Sequence, residues 1–181
     1  MEPFRIIEKY YAPGSLAFSL LIHHSRMVKE KALVIARKVR RMNPDIHFIS
    51  EAAILHDIGI FHTNEPEIGC FGNKAYICHG YLGREILEQE ALPLHALVCE
   101  RHVGLGLSIS DIEEKNLPIP KRDMIPVSLE EQIICYADKF FSKSPEFISK
   151  EKPISTIREG IARYGREQIK RFDEWVLLFG I

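Results

Sequence analysis

Residues 52–60 read AAILHDIGI, and this stretch decides how the rest of the chain is read. On a helical wheel, Ile49, Ala52, Ala53, His56, Asp57 and Ile60 fall at i, i+3, i+4, i+7, i+8 and i+11, a single stripe. The stripe is otherwise apolar, so His56 and Asp57 sit on the face that turns inward. A carboxylate taken out of water without a partner costs several kcal/mol. The pair is therefore either satisfied within the core or bound to a metal, and the doublet alone favours neither.

The pattern recurs outward from there. His24 lies on the stripe Leu20/Leu21–His24–Val28–Ile35, while His23 lies about 100° away on a mixed face. His79 shares a face with Leu82, Gly83 and Ile86, and His102 follows Val98 at i+4. Asp138 sits between Ile134 and Phe141. Each residue alone reads as a core polar group with a local partner. Five inward-facing segments built only from His and Asp point instead to a shared partner, a metal centre. Four imidazoles and two carboxylates suit Fe, Mn, Co, Ni or Zn better than Mg or Ca, which prefer all-oxygen shells. Six ligands exceed what one catalytic metal with an open position needs. They match two divalent ions if one carboxylate bridges.

The surroundings are helical. The periodicity predicts a short helix over 3–11 and a long one from the Ser15 N-cap to about Met42. A third opens at Ser50. Further helices are expected from Cys78 to Ala91, Leu94 to His102, Ser110 to Asn116, Ser128 to about Lys143, and one or two between Ser155 and Leu178. Residues 60–77, rich in Gly, Asn and Pro, read as a long loop. No window alternates with period two for long, so no strand is expected. The fold class is all-α. The expected organisation is one domain over 1–181, with a metal-binding core at about 16–143 and a helical extension at about 150–181.

Composition narrows the function. The chain has 181 residues, 46% of them apolar, with 24 Lys+Arg against 25 Asp+Glu and a formal charge of −1. That excludes global disorder and argues against a nucleic-acid partner, which usually needs a basic excess. Cys70, Cys78, Cys99 and Cys135 form no CxxC pair and read as free thiols of a reducing compartment. The start, MEPFRIIEKYY, has no basic segment leading into an apolar one, and no stretch is long enough to span a bilayer. A cytoplasmic protein without a membrane partner is expected.

The order His24, His56-Asp57, His79, His102, Asp138 resembles the HD-domain superfamily of metal-dependent phosphohydrolases. His56-Asp57-Ile58-Gly59 matches the HDIG subgroup motif letter for letter, and His24-Ser25 with Val28 resembles the setting of its first ligand. The runs HG-x-x-G (His79, Gly80, Gly83) and RH-x-G-x-G (Arg101, His102, Gly104, Gly106) are similar to those of six-ligand, dinuclear variants. Residues 117–138 resemble small uncharacterised HD proteins of archaea and bacteria. The resemblance implies an HD-domain helical bundle. In it His24, His56, Asp57 and Asp138 bind one metal, and Asp57 bridges to a second held by His79 and His102. The implied activity is hydrolysis of a phosphomonoester or phosphodiester of a nucleotide or other small phosphate by a metal-bridged water. The GYP signature of cyclic-di-GMP enzymes is missing, since VGLGLSIS follows His102.

Beyond the ligands, Asp57 and His62 are the catalytic candidates, His62 as a proton donor at the mouth of the 60–77 loop. Lys74, Arg101, Lys121 and Arg122 are candidates for phosphate contact. Lys139 is read as pointing away from Asp138, and His23, His47 and His95 as lying at the surface or behind the ligands. The Trp175–Phe179 segment reads as core or as a homodimer contact. Two further functions use the same ligand set: a di-iron oxygenase of HD fold cleaving C–C or C–P bonds, and a non-catalytic metal-bound sensor.

Overall fold

The computed structural model describes residues 1–144 and 148–180. Among them are nine α-helices and one hairpin of two-residue strands, Asn64–Glu65 against Cys70–Phe71. The all-α expectation holds. The hairpin was not expected, because two residues per strand carry no readable alternation.

Helix α1 (Pro3–Tyr10) precedes α2 (Leu16–Lys38), whose Ser15 cap accepts the Phe18 N–H at 3.2 Å. The stripe of α2 buries Leu21, His24, Val28, Ala32 and Ile35. The helix stops at Lys38 rather than near Met42: a 3₁₀ turn covers Arg40–Met42, Asn43 takes a left-handed φ of 53°, and Met42 is exposed. The next helix, α3 (Ile46–Leu55), starts four residues before the expected Ser50. Asp45 is the earlier cap, accepting the Phe48 N–H at 2.9 Å. His56 is the C-cap of α3, and Asp57 has already left the helix (φ −109°, ψ 12°) for the 3₁₀ turn Ile58–His62. The doublet thus crowns the end of a helix instead of lying within one.

Gly59 permits this arrangement. A Cβ there would lie 2.2 Å from the His79 carbonyl oxygen and 2.5 Å from the Gly83 nitrogen, so the turn touches α4 (His79–Gln89) backbone to backbone. Helices α4 and α5 (Pro93–Arg101) then form an antiparallel pair across a short turn. The short helix α6 (Ile109–Glu114) carries a capping box of Ser108 and Asp111.

Helix α7 (Leu129–Asp138) is capped by Ser128, which accepts the Glu131 N–H at 3.1 Å. It was expected to reach Lys143. Instead the N–H groups of Lys139, Phe140 and Phe141 bond three residues back, tightening the chain out of the helix just after Asp138. Helices α8 (Ile154–Ala162) and α9 (Arg166–Phe179) close the fold. Phe172, Trp175 and Phe179 of α9 are buried around Tyr136 of α7, so this part of the tail is core, while Leu177 stays exposed. One apolar cluster joins α2, α3, α7 and α9, and a second joins α1, α2, α3 and α5. Both draw on α2 and α3, and the polar residues collect at the ends of α3 and α7. No described helix is long and apolar enough to cross a membrane.

Candidate metal centre

Five elements deliver six buried side chains to one point. The middle of α2 brings His24, the end of α3 His56 and Asp57, the start of α4 His79, the end of α5 His102, and the end of α7 Asp138. Their potential ligand atoms form two groups, each within 4.8 Å: His24, His56, Asp57 and Asp138, and then Asp57, His79 and His102.

Asp57 belongs to both groups, through different oxygens. Its Oδ2 lies 3.2 Å from His24 Nε2 and 3.0 Å from His56 Nε2. Its Oδ1 lies 3.4 Å from His79 Nε2 and 3.3 Å from His102 Nε2. Asp138 Oδ1 completes the first group, 3.0 Å from His24 Nε2 and 3.5 Å from His56 Nε2.

Three of the imidazoles are fixed by backbone. His56, His79 and His102 direct Nδ1 at the carbonyls of Ala53, Tyr76 and Cys99, at 2.7, 2.6 and 2.6 Å. A carbonyl can only accept, so each Nδ1 carries a proton, and the neutral rings of His79 and His102 turn a lone pair at Nε2 inward. This is how metal-binding imidazoles are usually held. His79 Nε2 and His102 Nε2 stand 3.1 Å apart with neither able to donate to the other. Among the described residues, Oδ1 of Asp57 is buried without a hydrogen-bond partner. Buried acceptors facing one another with no donor call for a cation. The donor set, imidazole nitrogen with two carboxylates, fits divalent transition metals.

The electrostatics divide along the same line. Burial alone would raise the Asp57 carboxyl, but His56 and Lys143 outweigh it and hold it well below the usual carboxylate range. Asp138 is lowered in the same way, against burial, by Lys139 and His24. Burial disfavours the His56 imidazolium, yet Asp57 and Asp138 lift it to about 9. Burial pushes His79 down to about 3 and also lowers His102.

Two residues that sequence reading missed complete the centre. Lys143 Nζ lies 2.6 Å from Asp57 Oδ2, and Lys139 Nζ lies 2.6 Å from Asp138 Oδ2 while donating to the His102 carbonyl. The expectation that Lys139 points away fails because its long stem curls back once α7 has ended. Both ammoniums line a cavity of about 680 Å³ that opens beside His79, His102 and Asp138.

The other candidates are not brought there. His62 is half-buried beside Phe61 and lies outside both ligand groups and the cavity lining. Lys74 is exposed on the loop, its N–H bonded to the His62 carbonyl. Arg101 is engaged by Glu131 at 3.0 Å, and Lys121 faces Glu113 at 3.4 Å. Arg122 is held by the buried Glu100, which also takes Arg84 at 2.6 Å. Arg101, Lys121 and Arg122 lie outside the cavity lining, on which Lys139 and Lys143 stand. Of the remaining His, His23 meets Ser149 at the surface, His47 is exposed, and His95 is buried against Phe48.

Fold and site together define a helical protein built round a buried His/Asp cluster able to hold metal ions. The chain belongs to the HD domain family, whose sequence model matches residues 21–142. It is 32% identical over 127 residues to a tRNA (cytidine(56)-2'-O)-methyltransferase of Thermoplasma volcanium, which covers 70% of this chain and 33% of that one. A protein of the same name from Picrophilus torridus is 29% identical over the same shares. An uncharacterized protein of Methanocaldococcus jannaschii is 32% identical over 121 residues, 65% of this chain and 64% of its own. The chain thus aligns with about a third of the length of the two methyltransferases. No solved structure matches.

Proposed function

We propose that the protein is a phosphohydrolase of small phosphate esters, nucleotides first among them, using two divalent transition metals drawn from Fe, Mn, Co, Ni and Zn. The observation that carries this reading is the two-faced Asp57, each oxygen turned to a separate set of inward Nε2 atoms. His24, His56, Asp57 and Asp138 would hold one ion, and Asp57, His79 and His102 the other. Bound there, the pair supplies a water of lowered pKa and neutralises phosphoryl charge.

The chain does the rest. Backbone carbonyls of Ala53, Tyr76 and Cys99 keep protons on Nδ1, so the ligating nitrogens stay free. Lys139 and Lys143 keep their protons despite burial, because Asp138 and Asp57 respectively favour the charged form. As ammoniums they donate to phosphoryl oxygens and stabilise the negative charge of the transition state. The apolar cavity wall, with Leu105, Leu107 and Ile157, keeps water from the far side of the substrate.

The test is metal analysis of protein purified without chelator, then phosphate release from a nucleotide panel with Mn, Co, Ni and Fe(II). The name carried by two relatives adds tRNA to that panel. The expected outcome is about two metals per chain and release from a small nucleotide. An iron-loaded protein that consumes oxygen and releases no phosphate would overturn the reading in favour of an oxygenase. A chain that takes up metal and turns over nothing would leave a sensor.

A further inference from the structure

The cavity beside the cluster has a strong charge bias. Five of its lining residues are Lys or Arg (Lys115, Lys139, Lys143, Lys152, Arg163), and only Asp138 is acidic. Three of the five are engaged by carboxylates: Lys139 by Asp138, Lys143 by Asp57, and Lys115 by Asp111 at 3.5 Å. Arg163 is exposed at the end of α8. Lys152 differs from all of these. It is half-buried, and among the described residues no carboxylate stands within ion-pair reach of it. Its backbone N–H donates to the Phe140 carbonyl at 2.8 Å and its Nζ to the Phe141 carbonyl at 3.3 Å. Both anchors are in the turn that follows Asp138, so the ammonium is held at the metal end of the cavity.

A partly desolvated ammonium whose partner among the described residues is a neutral carbonyl is poorly satisfied. Burial works against its charged form, and the nearby Lys139 and Lys143 add to that, with Asp138 opposing. An anion entering the cavity would relieve all three cations. The opposite wall, from α8, is apolar where Ile157 and Ile161 face in, and Tyr76 lines the near side. This is room for an uncharged ring system attached to the anion.

We infer that Lys152 is the specificity-determining contact for a second phosphate of the substrate, so that the cavity prefers a nucleoside diphosphate over a monophosphate. The inference rests on the phosphohydrolase reading for the first phosphate, which goes to the metals. Lys152 touches neither ligand group, so its effect on binding is separable from metal content.

The experiment is calorimetric titration of the metal-loaded full chain with AMP and with the non-hydrolysable α,β-methylene analogue of ADP. It is run on wild type, Lys152→Ala, Lys152→Arg and, as a control outside the cavity, Arg158→Ala. Wild type and Arg158→Ala should bind the diphosphate at least about tenfold more tightly than the monophosphate, as one charge-assisted contact allows. Lys152→Ala should bring that ratio to about one, and Lys152→Arg, which keeps the charge, should retain most of it. Equal affinities in wild type, or a ratio that survives Lys152→Ala, would overturn the inference. Phosphate release is scored separately. A Lys152-dependent ratio without release from any nucleotide would sink the hydrolase and keep the cavity's preference. Release from ADP and AMP alike, unaffected by Lys152→Ala, would do the reverse.

Discussion

The two halves of the His/Asp cluster share Asp57 and yet are built on opposite electrostatic terms. Around Oδ2, the carboxylates of Asp57 and Asp138 face a His56 lifted to about 9 and the ammoniums of Lys143 and Lys139. Charge there is balanced by the protein itself. Around Oδ1, two imidazoles stand 3.1 Å apart with His79 depressed to about 3, and among the described residues no Lys or Arg pairs with their Nε2 atoms or with Oδ1. The first half can exist as an ion-pair network. The second collects acceptors without a donor, and its geometry makes sense when a cation fills it. The centre thus combines a half that protons and lysines can satisfy with a half whose acceptors suit a cation.

The largest test of this division removes what the halves share. Asp57→Ala takes away an oxygen from each group and leaves Lys143 without its carboxylate. Metal content should fall from about two per chain to near zero, with phosphate release lost by at least roughly a thousandfold. Metal analysis and turnover on the same preparation check both. Retention of one metal at full occupancy would mean that Asp57 does not join the halves.

A smaller effect separates them. His79→Leu removes one of the two opposed lone pairs and should leave about one metal per chain, held by His24, His56, Asp57 and Asp138. Because the substitution also removes a buried, unsatisfied acceptor, the chelator-treated protein should be no less stable than wild type. Thermal melts with and without metal read this directly. A variant that still carries two metals would show that the second ion does not need His79.

Much of this was legible in the sequence, for a physical reason. A His or Asp on an apolar stripe must find a partner, so His24, His56, Asp57, His79, His102 and Asp138 announced themselves through their neighbours. The lysines did not. A Lys reads as a solvated charge wherever it stands, and Lys139, Lys143 and Lys152 reach the cavity only because α7 ends at Asp138 and the chain turns back over it. The frame of α3 was also hidden. Asp45 and Ser50 are both good caps, and only the structure shows that the earlier one wins and that Asp57 lies in the turn after the helix. The partners of Arg101, Lys121 and Arg122 were hidden for a related reason. Their carboxylate partners Glu131, Glu113 and Glu100 come from other helices or turns, so nothing in the local sequence reveals that these charges are already used.

The smallest effect is a slope in pH, and it sets the halves against each other in the metal-free protein. His79 has an ordinary value of 6.5 and a folded value of about 3. Between these limits the unfolded chain binds a proton that the folded chain refuses. Its contribution is therefore present above pH 6.5 and lost as pH falls towards 3, and His102, also lowered, acts in the same direction. His56 runs the other way. Its folded value of about 9 means a contribution present below 6.5 and lost as pH rises through 9. Stability of the chelator-treated protein should therefore peak near neutrality and fall on both sides. Each depressed or raised His contributes up to about 1.4 kcal/mol per pH unit inside its window. Urea midpoints measured from pH 4.5 to 9 check this, a range that stays above the titration of Asp57 and Asp138. In His79→Leu the acid limb should flatten while the alkaline limb stays. A fall in midpoint below pH 6.5 as steep in His79→Leu as in wild type would place the acid sensitivity outside the second half, and the contrast between the halves would fail.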